Sequence, residues 1–172
     1  MFNRDFFRQN ATELAPQLVG KILAHRLPDG SVIRMRISET EAYCGVDDTA
    51  CHAHKGKTKR SEILWRDGGT IYVYLCYGMH WLLNIVSGSE GDPQAVLIRC
   101  CVDAEGPGKL TKALKIDGSF NGKDILCCDD LWLEDDGTIV DIISDKRVGI
   151  GYADERDREA LLRYKLNGIL GH

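Results

Sequence analysis

Glu39-Thr40-Glu41-Ala42-Tyr43 sets two carboxylates two residues apart and a phenol two residues further on. Residues spaced by two share one face of a β-strand. The run before them, Val32-Ile33-Arg34-Met35-Arg36-Ile37-Ser38, alternates with its odd positions apolar, as a half-buried strand does. Continuing that alternation puts Glu39, Glu41 and Tyr43 on the side of Ile33, Met35 and Ile37. Glu is rarely buried unpaired, because desolvating its charge costs several kcal/mol or raises its pKa by as much as about 3–5 units. A carboxylate so perturbed at the mouth of a cleft suits general-base work near neutral pH. A structural ion pair is the plainer role for the same residue.

A second set of reactive types follows. His52 precedes a basic loop, and Tyr72-Val73-Tyr74-Leu75-Cys76-Tyr77-Gly78-Met79-His80 leads to Asn84. The β-branched and aromatic content of Ile71 to Tyr77 predicts a strand, Tyr77-Gly78-Met79-His80 a tight turn, and Trp81 to Ser87 the returning strand. Tyr77 is then an aromatic at a hairpin tip, free to wedge into something outside its own core. Asn84 interrupts the apolar Trp81 to Val86, and a buried amide needs partners in the protein or a ligand. Arg99 lies in the apolar run Pro93 to Arg99, so a carboxylate partner is expected for it.

These residues carry a resemblance. Glu39 to His52, then Gly56, Thr58 and Arg60, then Tyr72-Val73-Tyr74, Tyr77-Gly78-Met79 and Asn84 closely resemble the alkyladenine (3-methyladenine) DNA glycosylase family. Pro93 to Arg99 and Gly106 to Leu114 are similar to the same family in the same order, and Arg147-Val148-Gly149-Ile150-Gly151 is a weaker match. The resemblance spans about Asn10 to Arg163. It implies an α+β fold in one domain over 1–172, with a curved, mostly antiparallel sheet and flanking helices. It implies a monofunctional purine DNA glycosylase of base excision repair, with double-stranded DNA carrying damaged purines as partner and no cofactor or metal. Glu41 matches the general base that activates water against the sugar C1′, and Arg99 a basic residue beside it. Tyr43, His52 and Tyr74 match the residues that sandwich an extruded base, Asn84 a pocket residue that disfavours guanine, and Tyr77 the intercalating wedge. Such roles make physical sense: extruding a base costs a few kcal/mol, and aromatic stacking returns about 1–3 kcal/mol per base.

The rest of the chain is read around this site. Asn10 can cap a helix with Glu13 at its third position, Pro16 limits its length, and Leu14, Leu18 and Val19 form its buried stripe. Pro28-Asp29-Gly30 between Lys21–Leu27 and Ser31–Ser38 signals a hairpin. From His52 to Arg66 the charge is positive, and Lys55, Lys57 and Arg60 are candidate DNA phosphate contacts. Gly108 and Lys109 open a helix that is a second candidate; the segment is no P-loop, since Leu110 stands where Ser or Thr is needed. Asp117 to Asp145 is acidic and is expected to form a sheet edge and loops facing away from DNA. Asp154 to Arg163 is expected to be a final helix, and 167–172 to fray.

Composition sets the frame. At 172 residues, 44% hydrophobic and 28% charged, the chain is expected to be a soluble, cytoplasmic monomer with no membrane segment. A net charge of −4 requires a DNA-binding protein to gather its basic residues on one face. Seven cysteines with no Cys-x-x-Cys suit neither a zinc site nor a disulfide framework and read as reduced thiols; Cys51-His52-Ala53-His54 is the only run with a hint of metal. A damage-binding protein that flips lesions without cutting is the rival from another class.

Overall fold

The computed structural model describes residues 2–171. A short helix, α1 (Arg4–Phe7), starts where the Asn3 side chain accepts the Phe6 N–H. Helix α2 (Ala11–Leu18) follows; the Glu13 carboxylate accepts the Asn10 N–H at 3.2 Å, and Leu14, Leu18 and Val19 are buried as their spacing predicts. Strands β1 (Ile22–Arg26) and β2 (Val32–Tyr43) form the expected hairpin, with Asp29 accepting from the Ser31 N–H and hydroxyl in the turn. Two 3-10 turns, His52–Lys55 and Glu62–Trp65, occupy the basic segment. Strands β3 (Ile71–Cys76) and β4 (His80–Ser87) make the second hairpin, and β5 (Gln94–Cys101) follows. Then come α3 (Pro107–Ala113), β6 (Leu131–Glu134), β7 (Ile139–Asp145), α4 (Glu155–Glu159) and β8 (Arg163–Gly171).

All strands join one curled antiparallel sheet in the order β3-β4-β5-β2-β1-β6, with β8 on β2 and β7 on β8. The α+β expectation holds. Two faces divide the chain's chemistry. Ile71 and Val73 of β3, Leu83 and Ile85 of β4, and Val96 and Ile98 of β5 enter the main core beneath α2 and α3. Their alternates face the other way: Tyr72, Val86 and Ala95 join a smaller cluster that Tyr43 and Tyr74 pack against. Among the described residues, no helix is long and apolar enough to cross a membrane.

Strict alternation fails at one place, and that place matters most. Between Ile37 and Thr40 the β2–β5 register shifts twice. Such irregularities bend a strand and re-aim its side chains. Ile37 belongs to the main core, but so does Ala42, five residues on, and Thr40 donates from its hydroxyl to Ala15 O on α2. Glu39, Glu41 and Tyr43 are therefore not on the side of Ile37: the bulge turns them to the opposite face.

Two further expectations are corrected. The last helix covers only Glu155–Glu159, and Arg163 opens a strand. The tail does not fray through 167–171, because β8 pairs with β7 up to Ile139–Gly171 and with β2 at Glu39–Glu41; His172 lies outside the described residues. All seven cysteines are unpaired, with Cys51, Cys100 and Cys101 buried and Cys127 exposed.

This division into a dry and an open side predicts unequal costs for similar changes. Ile85→Ala, at a fully buried position, should cost about 2–5 kcal/mol. Ile169→Ala, on the exposed end of β8, should stay within about 0.5 kcal/mol. Urea unfolding of both variants checks this, and equal losses would contradict the assignment of the core.

Candidate active site

Glu41 is 0% exposed, yet neither of its oxygens is left alone. The Val148 N–H donates to Oε1 at 2.8 Å, and the Tyr43 hydroxyl donates to Oε2 at 2.8 Å. Burial pushes the Glu41 carboxyl up from the usual range, against the pull of the Val148 N–H, Arg99 and the Tyr43 hydroxyl. Burial and the neighbouring Glu41 push the Tyr43 phenol well up, so it stays a donor.

Arg99 sits on β5 across from the two acids. Its Nε pairs with Glu39 Oε1 at 2.8 Å and stands 3.7 Å from Glu41 Oε1. Glu39 also receives Arg163 Nη1 at 3.2 Å, and Arg163 Nη2 pairs with Asp145 at 2.7 Å. The carboxylate partner expected for Arg99 is thus primarily Glu39, with Glu41 at the edge of reach. A charged chain, Glu41–Arg99–Glu39–Arg163–Asp145, ties β2 to β5, β8 and β7.

Of these groups Glu41 and Arg99 line a cleft of about 640 Å³ whose other walls are aromatic and basic. Tyr43, His52 and Tyr74 border it together, and Asn84 lies in an adjoining recess bordered by the same three rings. His52 and Tyr74 meet with centroids 4.7 Å apart, and His52 Nδ1 shares a hydrogen bond of 2.9 Å with the Tyr72 hydroxyl. Burial pushes the His52 imidazole down, and Arg60 and Lys55 reinforce this, so the ring is neutral at neutral pH. Asn84 Nδ2 donates to Tyr72 O at 3.2 Å and Leu82 O at 3.5 Å, which answers the partner question for that buried amide within the protein.

Tyr77 is at the cleft rim on the β3–β4 turn and is 91% exposed. Its φ is +51° and that of Gly78 is +67°. Gly tolerates this region freely; a tyrosine held there carries strain of about 1–3 kcal/mol, of a kind that gathers at functional sites. Of the basic candidates, Lys55 and Arg60 border the cleft, the Arg60 guanidinium lying 4.9 Å over the Tyr74 ring. Lys57 is exposed on the same loop without lining the cleft. Gly108 serves a packing role: an added Cβ would come within 2.9 Å of the His80 ring, so the missing side chain lets α3 approach the β3–β4 hairpin. Lys109, beside it, is exposed.

Three contributors escaped the sequence reading as individuals. Val148 acts through its backbone N–H, which no side-chain pattern reveals. Tyr152 borders the cleft and donates its hydroxyl to Ala50 O at 2.9 Å. Arg147 lies beneath Tyr43. The motif Arg147 to Gly151 marked their neighbourhood but assigned no roles.

Known proteins are similar to this chain over most of its length. The family model for methylpurine-DNA glycosylase matches residues 5–103 and 102–169. A protein of Psychrobacter cryohalolentis, provisionally named a 3-methyladenine DNA glycosylase, is 42% identical over 188 residues, covering 92% of this chain and 88% of its own. One of Borreliella afzelii with the same provisional name is 42% identical over 180 residues and 96% of both chains. A third, of Natranaerobius thermophilus, is 37% identical over 88% of both.

The raised Glu41 pKa carries a stability consequence whose sign is fixed. An acid whose folded pKa exceeds its unfolded value favours the fold while protonated, and that contribution is lost as pH rises through the folded value. Glu41→Gln removes the buried charge. Its melting temperature should match wild type below the ordinary carboxylate range, pull ahead as pH rises from there to the Glu41 pKa, and keep a constant lead above it, measured by thermal denaturation across pH. A gap independent of pH would contradict this.

Proposed function

Because the chain belongs to the methylpurine-DNA glycosylase family, we propose that it is a monofunctional DNA glycosylase that releases alkylated or deaminated purines by water attack at C1′. The observation that carries this reading is Glu41: a buried carboxylate, held by two donors, at the wall of an aromatic cleft.

In the proposed reaction the target nucleotide leaves the stack and its base enters between Tyr43 and the His52–Tyr74 pair. Tyr77, already strained and pointing outward, takes the vacated place in the duplex. Stacking against these rings is worth about 1–3 kcal/mol per base and offsets the extrusion. A neutral His52 suits a purine made cationic by alkylation, which aromatic faces attract. Asn84, held in place by its amide nitrogen's bonds to two carbonyls, disfavours by the space it fills a purine bearing an exocyclic amino group at C2. Glu41 takes a proton from water as that water attacks C1′ and the C1′–N glycosidic bond breaks, the purine leaving with the electron pair of that bond; Arg99 stands beside Glu41 and steadies Glu39. Lys55, Lys57 and Arg60, with Gly108 and Lys109 near the β3–β4 hairpin, meet the phosphates.

Water as nucleophile means that no enzyme–DNA adduct forms. The test is single-turnover base release from duplex oligonucleotides carrying hypoxanthine or ethenoadenine, at low salt to favour binding. Wild type should release base, with a rate that falls as pH drops through a Glu41 pKa above the usual carboxylate range. Glu41→Gln should be slower by about 10²–10⁴-fold. Full activity in that variant, or an adduct trapped by borohydride, would sink the mechanism. Tight lesion binding without base release would favour a damage-binding protein instead.

A further inference from the structure

The segment from Arg147 to Tyr152 brings Val148 to Glu41; Tyr152 ties its far end to Ala50 O, Ile150 packs against Ala50, and Arg147 fastens the end next to Val148. Arg147 is wholly buried. Its Nη1 donates to Asp48 Oδ2 at 2.6 Å and to Ala42 O at 3.0 Å; its Nη2 donates to Asp48 Oδ1 at 2.9 Å and to Asp157 O at 3.3 Å. The guanidinium lies 4.8 Å over the Tyr43 ring. Asp48 is itself fixed, accepting the Cys44 N–H at 2.9 Å and the Ala50 N–H at 3.0 Å.

Both donors to Glu41 therefore depend on one cation. Val148 is its neighbour in the chain, the Tyr43 ring rests on its face, and Ala42, between Glu41 and Tyr43, gives it a carbonyl. A planar guanidinium can make a two-pronged pair with a carboxylate and stack on a ring at once, which an ammonium cannot. We infer that Arg147, clamped by Asp48, is a positioning residue for Glu41: it holds the Val148 N–H and the Tyr43 hydroxyl at the two carboxylate oxygens without touching the carboxylate itself. The inference rests on Glu41 being the general base.

A clamp serving stability alone would leave the titration of Glu41 unmoved. The charged and titratable groups that face Glu41 are Glu39 and Tyr43 on its own strand, Arg99 on β5, Arg163 paired with it on β8, Tyr152 beyond the loop and His52 across the cleft. Of these, Tyr43 rests on Arg147 directly and Tyr152 shares its segment with the Val148 N–H, whereas Glu39, Arg99, Arg163 and His52 are held by other elements. The Tyr43 hydroxyl and the Val148 N–H both hold the Glu41 pKa down against burial, so loosening them must move it up.

The test follows Glu41 by carbon NMR titration in the free protein and by the pH profile of single-turnover base release, in wild type, Arg147→Lys and the charge-neutral double variant Arg147→Gln/Asp48→Asn. Tyr43→Phe, which removes one donor, is the comparator. In Arg147→Lys the titration and the acid limb of the rate should move together to higher pH, by about one unit, and by less in Tyr43→Phe. Should Arg147→Lys not fold, the double variant supplies the same readout. A titration coinciding with wild type in a folded variant overturns the inference, as does failure of both variants to fold, which would assign Arg147 to the fold alone. If wild type releases no base, the reading of Glu41 as a base fails, while the NMR titration still decides whether Arg147 positions it.

Discussion

A carboxylate without solvent exposure is the constraint on which the rest depends. Burying Glu41 is tolerable only where its oxygens receive donors, since an unpaired buried charge costs several kcal/mol. One donor comes from the next residue on the same face, Tyr43, and the other from a backbone N–H more than a hundred positions later in the chain. The protein must therefore close its C-terminal part over β2 to make this residue acceptable. Strand β8, paired with β2 at Glu39–Glu41, and the Arg147–Asp48 pair accomplish that closure from two sides.

The sheet makes the arrangement possible by keeping two faces separate. One face is dry and packed by α2 and α3; the other carries rings, acids and guanidinium groups along a cleft. Alternation along β3, β4 and β5 supplies both faces from the same strands. On β2 alternation alone would send Glu41 into the main core, where no donors wait. The register shifts after Ile37 send Thr40 and Ala42 there instead, and Thr40 satisfies its hydroxyl on Ala15 O. A bulge here is thus a device for aiming a side chain, at the cost of ladder pairing.

Charge follows the same economy. The chain carries a net −4, but several of its acids are paired: Asp67 with Arg8, Glu134 with Arg34, Asp135 with Lys21 and Asp136 with Arg36. Lys55, Lys57 and Lys59 stay exposed on the loop next to the cleft. A surface that is locally positive on one rim is compatible with an acidic whole, because exposed charges beyond about 10 Å screen one another at ordinary salt.

Much was legible in the sequence, because the signals involved are local. Period-two runs and turn residues located the hairpins at 28–30 and 77–79, apolar spacing located the buried stripe of α2, and the ordered motifs gathered Glu41, Tyr43, His52, Tyr74 and Tyr77 as candidates that the fold brings to one cleft. The pairing of half-buried Arg99 with an acid followed from its apolar neighbours. Only the tertiary structure decided the face on which Glu41 lies, the choice of Glu39 as the closer partner of Arg99, and the strand formed by 163–171. Each depends on pairing between residues far apart in the chain. A bulge shows only against a partner strand, a backbone donor has no side-chain signature, and a tail that looks frayed in isolation becomes a strand when β2 and β7 offer it hydrogen bonds.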